Sequence, residues 1–253
     1  MFMKNKKTPE RQVKFGYKTI NETEKDDLVR GVFDSVATKY DFMNDLMSFG
    51  AHRLWKDAFI TWIRPTSKMK LIDVGGGTGD ITCAFLKKGG GNATIVDINR
   101  SMLSIGYDRI KRCKNKNEIN WINASAENLP IANACYDIYA TAFCLRNVTR
   151  VERALTEARR VLKPGGRFMC LEFSQVPSSC FEKLYTHYSF KLLPAIGEFV
   201  AKDREAYQYL VESIRQFPDQ EALSQLMRNA GFKNISYHNL SGGIAAMHSG
   251  WRI

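Results

Sequence analysis

Leu71-Ile72-Asp73-Val74-Gly75-Gly76-Gly77-Thr78-Gly79-Asp80 decides how this chain is read. A short run with β character enters a glycine-rich turn, and a helical pattern opens at Ile81. Glycines in such a turn let the backbone pass close to a ligand and take φ > 0 where a side chain would clash. A dinucleotide fingerprint, G-x-G-x-x-G/A, needs a small third residue. Counted from Gly75 and Gly77, that place falls on Asp80, whose carboxylate spoils both the helix–strand approach and a bound pyrophosphate. What remains is an acid, Asp73, followed by Gly-x-Gly-x-Gly, which suits a nucleoside without a pyrophosphate. Asp97 ends the next strand-like run, 18 residues after Gly79, where an acid meets a ribose diol. Turn and acid together make S-adenosylmethionine the preferred ligand.

Around this motif, short apolar runs alternate with amphipathic stretches, the βαβ signature of a parallel sheet covered by helices. The strands are expected at Lys70–Val74, Ala93–Asp97, Ile119–Asn123, Tyr136–Phe143 and Arg167–Glu172. Val151–Leu162 sets Val151, Ala154, Leu155, Ala158 and Leu162 on one helical face, and Lys163-Pro164-Gly165-Gly166 turns the chain into the fifth strand. Pro218-Asp219 precedes a helix closed by Gly231. Asn234–Leu240 and Ile244–His248 flank Ser241-Gly242-Gly243 as a closing antiparallel hairpin. The loop Asn123–Pro130 follows the third strand, and its small residues leave room for an adenine ring. The expected fold is a Rossmann-like α/β class I methyltransferase, with a seven-stranded, mostly parallel sheet and helices on both faces.

Two stretches stand outside that rhythm as helical caps, 21–65 and 178–217. Both are rich in aromatics, such as Phe33, Tyr40, Trp55 and Phe59 in the first and Tyr207 and Tyr209 in the second. They are placed to cover the strand ends, where open α/β sheets bind ligands; each single aromatic is more often packing than contact. Residues 21–253 are read as one methyltransferase domain, and residues 1–20 as a basic flexible tail.

The chain has 253 residues, 44% hydrophobic and 25% charged, the mix of an ordinary globular protein. No run approaches the roughly 18 apolar residues of a membrane-spanning helix. Met1–Lys18 has the pattern of neither a secretory nor an organelle signal. Six cysteines without a CxxC pair suggest a reducing compartment, and no metal is called for. The net charge of +11 invites an acidic partner or an anionic membrane. Nearly half of it lies in the first 18 residues, where six Lys and Arg face one Glu.

Val32–Lys56, which includes Tyr40-Asp41-Phe42-Met43-Asn44 and His52, together with Leu145-Arg146-Asn147-Val148, resembles the ubiquinone/menaquinone biosynthesis C-methyltransferases. The resemblance runs from about Phe15 to Ile253 and includes the Val161–Gly166 turn and the Ser213–Asp219 stretch. It implies that Thr78, Asp97, Ser125 and Ala126 hold S-adenosylmethionine, in addition to the Asp73, Gly75 and Gly77 of the turn. The family often has Asn or Asp where Ser125 stands. The implied reaction is methylation of a ring carbon of a polyprenylated quinol: 2-polyprenyl-6-methoxy-1,4-benzoquinol for ubiquinone, or demethylmenaquinol for menaquinone.

Carbon becomes nucleophilic once a ring hydroxyl ortho or para to it is deprotonated, so the site must favour a phenolate. Arg146 is expected to stabilise it electrostatically, or else to pair with an acid and hold the cap. Asn147 orients the ring oxygen or caps the next helix, and His52 and Tyr40 serve proton transfer, quinol contact or packing. A polyprenyl substrate lives in a bilayer. The expected location is therefore cytoplasmic, peripheral on the inner face of the bacterial cytoplasmic membrane, with Lys4–Lys18 as a docking strip. A homodimer or a quinone-synthesis complex fits the same picture, and no nucleic acid partner is expected. Two alternatives are weighed: an RNA methyltransferase, invited by the charge, and a non-catalytic S-adenosylmethionine-binding subunit of a quinone-synthesis complex.

Overall fold

The structure is a computed structural model that describes residues 11–36, 44, 45, 48, 50–111, 118–175 and 204–253. It opens with an antiparallel hairpin, β1 (Gln12–Phe15) and β2 (Lys18–Asn21), that runs straight into helix α1 (Glu22–Val36). Residues 12–20 therefore do not belong to a flexible tail. Val13 and Phe15 alternate with exposed Gln12 and Lys14, and Phe15 stacks on Tyr209 with ring centroids 4.1 Å apart. That period-two pattern outweighs the charge of the segment; residues 1–10 lie outside the described residues.

After α2 (His52–Ile63) come β3 (Leu71–Val74), α3 (Asp80–Lys87), β4 (Ala93–Asp97), α4 (Arg100–Lys111), β5 (Ile119–Asn123) and β6 (Tyr136–Ala142). A 3-10 turn, Leu145–Asn147, then leads to α5 (Val151–Val161), β7 (Leu162–Phe173), α6 (Arg204–Gln216), α7 (Gln220–Asn229), β8 (Lys233–Leu240) and β9 (Ala245–Trp251). The seven strands lie in the order β5-β4-β3-β6-β7-β9-β8. β3 pairs in parallel with β4 and β6, and β9 is antiparallel to both β7 and β8. All four residues of β3 are buried, as a central parallel strand requires. The chain fills the sheet outward on one side of β3, then returns to fill the other. That reversal is the topological switch point at which open α/β sheets bind ligands.

Two of the expected strands, β4 and β5, match residue for residue. β7 starts earlier than expected because Leu162 already pairs with Tyr136, and 163–166 then leave the ladder as a bulge with Gly165 at φ +78°; there Gly165 N–H donates to the Arg252 carbonyl (2.7 Å) and Arg252 N–H to that of Gly166 (2.9 Å). Both faces of the sheet are covered. On one, α2 buries Trp55, Phe59, Ile60 and Ile63 with Phe143 and Phe173; on the other, α5 and α7 bury Ala154, Leu155, Leu223 and Met227 with Phe168. Trp55 and Phe59 of the first cap are thus core residues. Of the second cap, only α6 lies within the described residues. No helix there is long and apolar enough to cross a membrane.

At the C-terminal ends of β6 and β7 the core contains an ion pair. Arg146, in the 3-10 turn, meets Glu172 of β7 at 2.7 Å, both side chains essentially buried. The guanidinium also donates to the Phe143 carbonyl (2.6 Å) and lies 5.4 Å from the centre of the Phe173 ring. Burial pushes the Glu172 carboxyl up, and Arg146 together with the backbone N–H groups of Phe173 and Arg146 holds it down. Removing one partner of such a pair strands a buried charge. Glu172→Ala is expected to cost about 3–5 kcal/mol of stability, measured by chemical denaturation. A loss below about 1 kcal/mol, the scale of a surface pair, would contradict this account.

Candidate active site

Four loops at the C-terminal ends of β3, β4, β5 and β6 meet under α1 and enclose a cavity. Gly75 and Gly77 line it after β3, Asp97 and Asn99 after β4, Ser125, Ala126 and Glu127 after β5, and Phe143, Cys144 and Asn147 after β6; Asp26, Val29, Arg30 and Phe33 of α1 close it. The turn needs its glycines. Gly75 has φ +70° and a Cβ there would stand 2.1 Å from Cys144 Sγ; Gly77 has φ +49° and a Cβ there would reach 3.1 Å from Met102 Cε. The backbone thus borders the cavity directly.

Asp97 is the best-formed polar group of the wall. Its Oδ2 accepts from Gly77 N–H (2.9 Å) and its Oδ1 from Asn99 N–H (2.8 Å). An ionised carboxylate has about four acceptor positions; backbone N–H groups of Gly77, Ile98 and Asn99 all act on this one, which leaves one for a ribose hydroxyl. Burial pushes its carboxyl up to about 6, against those backbone bonds. Val74, Ala124, Ala126 and Met102 supply apolar wall for a purine, while Asp26, Asp97 and Glu127 supply negative charge for a sulfonium. These residues fit S-adenosylmethionine. No phosphate belongs at the start of α3, because Asp80 occupies that place, held by Lys56 (2.8 Å) and Arg109 (2.7 Å).

Other residues predicted from sequence do not line this cavity. Asp73 is buried beneath the turn, its Oδ2 accepting from Thr82 N–H (3.2 Å) and Thr82 Oγ1 (2.8 Å); it braces α3 against β3. Burial pushes its carboxyl up to about 7, with the Thr82 bonds opposing. Thr78 is buried too, its backbone in close packing with Gly106 of α4. Arg146 meets Glu172 and lies over Phe173, the acid-paired arrangement, and an arginine can enter this apolar core because a carboxylate meets it there.

His52, at the start of α2, is buried, with Nε2 2.8 Å from Asp45 Oδ1. Burial and neighbouring Lys56 lower its proton affinity, while Asp45 raises it, and the balance is downward. The imidazole is therefore neutral at pH 7. Its Nδ1, like both amide atoms of buried Asn44, has no hydrogen-bond partner among the described residues. Tyr40 lies outside the described residues. Asn147 does line the cavity and caps no helix: the N–H groups of Thr149 and Arg150 entering α5 donate instead to Glu127 Oε1, each at 3.0 Å.

The model of the ubiE/COQ5 methyltransferase family matches residues 19–252. This chain belongs to that family. Among its relatives, the ubiquinone/menaquinone biosynthesis C-methyltransferase UbiE of Cereibacter sphaeroides is 53% identical over 240 residues, 94% of this chain and 96% of its own. The protein of the same name from Acidiphilium cryptum is 53% identical over 246 residues, 97% of this chain and 99% of its own. Solved structures share the fold: an S-adenosylmethionine-dependent methyltransferase from Thermotoga maritima (TM-score 0.62, 20% identity, 88% of this chain and 99% of that one) and the [4+2]-cyclase SpnF (TM-score 0.66, 15% identity, 88% and 94%).

For this member of the ubiE/COQ5 family, the 21–65 cap and Phe33 were expected over the strand ends, where α1 lies, but Asp26, Arg30, Asn99 and Glu127 were not singled out. Asn99 accepts from Met102 N–H (2.9 Å) at the start of α4, while its Nδ2 donates to Asp34 Oδ1 (3.0 Å) and to the Arg30 carbonyl (3.3 Å) of α1. An Asn two residues past the ribose acid and directly before a helix is the signal available for it. Because ionised Asp97 accepts from a ribose hydroxyl more strongly than its protonated form, S-adenosylmethionine affinity is expected to hold above pH 7. It should then fall by up to about tenfold per pH unit below about 6. Calorimetric titration across pH 5–8 measures this, and Asp97→Asn should bind weakly with no such slope. A slope that persisted in that variant would move the effect to another group.

Proposed function

We propose that this enzyme transfers a methyl group to a ring carbon of a polyprenylated quinol, a benzoquinol precursor of ubiquinone or demethylmenaquinol. The observation that carries this reading is the presence of Asn147 on the wall that Asp97, Gly75 and Gly77 also form. One amide able to hold a ring oxygen thus shares a cavity with the cofactor cradle, in a chain whose relatives at 53% identity bear that activity in their names. S-adenosylmethionine, when bound, supplies a methyl carried on a sulfonium. The protein's task is then alignment, water exclusion and a deprotonated ring oxygen.

Asn147 donates to that oxygen, and Val29, Phe33 and Phe143 keep water from the cavity. His52, set back from the cavity wall, is assigned the proton acceptor's role: Asp45 fixes its Nε2, and its Nδ1 has no hydrogen-bond partner among the described residues. The Arg146–Glu172 pair acts indirectly by setting the turn that carries Asn147. Tyr40 is assigned to quinol contact or proton transfer. A labelled-methyl assay comparing demethylmenaquinol, the benzoquinol precursor and total RNA tests the whole reading. Label is expected in the quinols, with His52→Gln slowing transfer by about 10²-fold or more while binding S-adenosylmethionine normally. Label in RNA alone would overturn it.

The substrate's tail brings the enzyme to a bilayer, and the basic N-terminal segment supplies the contact, on the inner face of the membrane. Lys14 and Lys18 sit exposed on the hairpin, continuing the charge of Lys4, Lys6 and Lys7; each basic residue near anionic lipid is worth about 1 kcal/mol. Assembly as a homodimer or within a quinone-synthesis complex belongs to the same reading. Removing residues 1–10 is expected to reduce sedimentation with phosphatidylglycerol vesicles, more so at low salt. Unchanged sedimentation would remove the tail from membrane binding.

A further inference from the structure

Asn147 is 6% exposed, and its two amide atoms have different surroundings. Oδ1 accepts from the hydroxyl of Tyr209, on α6, at 3.1 Å. Nδ2 is assigned no acceptor among the described residues, and the residue lines the cofactor cavity. An amide bound on its oxygen side by the protein offers its N–H groups to whatever fills the cavity. Rotated by 180°, the same amide would present a carbonyl oxygen, which repels a phenolate. The rotamer therefore sets the sign of the interaction with the ring oxygen.

We propose that Tyr209 is a positioning residue for methyl transfer: its hydroxyl proton holds Asn147 Oδ1 and so keeps Nδ2 directed at the substrate's ring oxygen. Three observations support it. Tyr209 is 5% exposed, and burial keeps its hydroxyl protonated, hence a donor. Asn147 Oδ1 is the hydrogen-bond partner of that hydroxyl among the described residues, at 3.1 Å. The ring itself is fixed by stacking on Phe15 of the hairpin at 4.1 Å and 18° between planes, and the hairpin is fixed to α6 by Tyr17 N–H donating to Glu212 Oε2 (2.9 Å). A flipped amide would make the tyrosine oxygen the acceptor and leave the hydroxyl proton to find another partner in a buried setting, an unfavourable exchange.

This inference rests on Asn147 contacting the ring oxygen. Tyr209→Phe keeps the stacked ring and removes the proton. It is expected to lower kcat for quinol methylation about tenfold, to change the S-adenosylmethionine Kd less than about twofold, and to move the acid limb of the kcat–pH profile to higher pH, because the phenolate is less stabilised. Asn147→Ala should cost about 10²-fold, the scale of one lost oxyanion donor. Adding Tyr209→Phe to it should cost nothing more, since the hydroxyl acts only through the amide. Asn147→Asp, which retains the acceptor for Tyr209 and lacks the donor, should be as slow as Asn147→Ala.

Full kcat in Tyr209→Phe beside a slow Asn147→Ala would overturn the positioning role alone, as would losses that multiply in the double variant or an unmoved pH limb. Full kcat in Asn147→Ala would overturn the role of Asn147 itself, and with it this one. Should Tyr209→Phe unfold, as thermal melting would show, the comparison of Asn147→Asp with Asn147→Ala still decides: an active Asn147→Asp means that Nδ2 does not serve the ring oxygen.

Discussion

A backbone that must pass a cofactor closely cannot carry side chains, and the cavity is built around that constraint. Gly75 turns out of the central strand with its Cα against Cys144, leaving no room for a Cβ. The close approach brings the loop after β3 into contact with the loop after β6, across the point where strand order reverses. Asp97 reaches the same place from β4 and accepts from Gly77 N–H. One turn therefore fixes where the loops after β3, β4 and β6 meet around the cavity, and bulk at Gly75 would separate two of them.

The charges beneath this surface shape it without entering it. Arg146 and Glu172 meet inside an apolar core, where hydrophobic replacements would often stabilise a fold as well. Their use is geometric: the Arg146 backbone N–H also donates to Glu172 Oε2 (3.3 Å), so a single carboxylate ties strand β7 to both ends of that residue and fixes the turn preceding Asn147. Glu127 does the corresponding work at the start of α5, satisfying two helix-entry N–H groups that lack an intrahelical partner and freeing the Asn147 side chain from that task.

Much of the sheet was legible because central parallel strands are buried on both faces and read as mostly apolar runs, as Ala93–Asp97 and Leu71–Val74 do despite Thr94 and Asp73. The glycine turn and Asp97 were legible for a related reason: their chemistry is local in sequence. What stayed hidden depends on contacts over long separations. Glu172 entered only as the last residue of the strand expected at Arg167–Glu172, and nothing near Arg146 named it as partner. Tyr209 lies 62 residues from Asn147. The cavity-facing side of α1 carries Asp26 and Arg30, which periodicity assigns to solvent. The hairpin was masked by its lysines, although Val13 and Phe15 hold the alternation.

Helix α1 is held over the cavity by polar contacts to the loops beneath it: Asn99 with Arg30 and Asp34, Thr149 with Asp26 (3.0 Å), Lys25 with the Val148 carbonyl (3.2 Å), and Arg150 with Glu22. Polar anchors of this kind exchange readily with water. Asn99 also belongs to the loop in which Asp97 sits, so the ribose acid and the helix share a stretch of three residues. Whatever binds Asp97 stiffens the anchor of the roof, and by reciprocity a settled roof tightens the hold on the ligand. The roof over the cofactor cavity is thus tied down by side-chain contacts that reach the loops after β4 and β6.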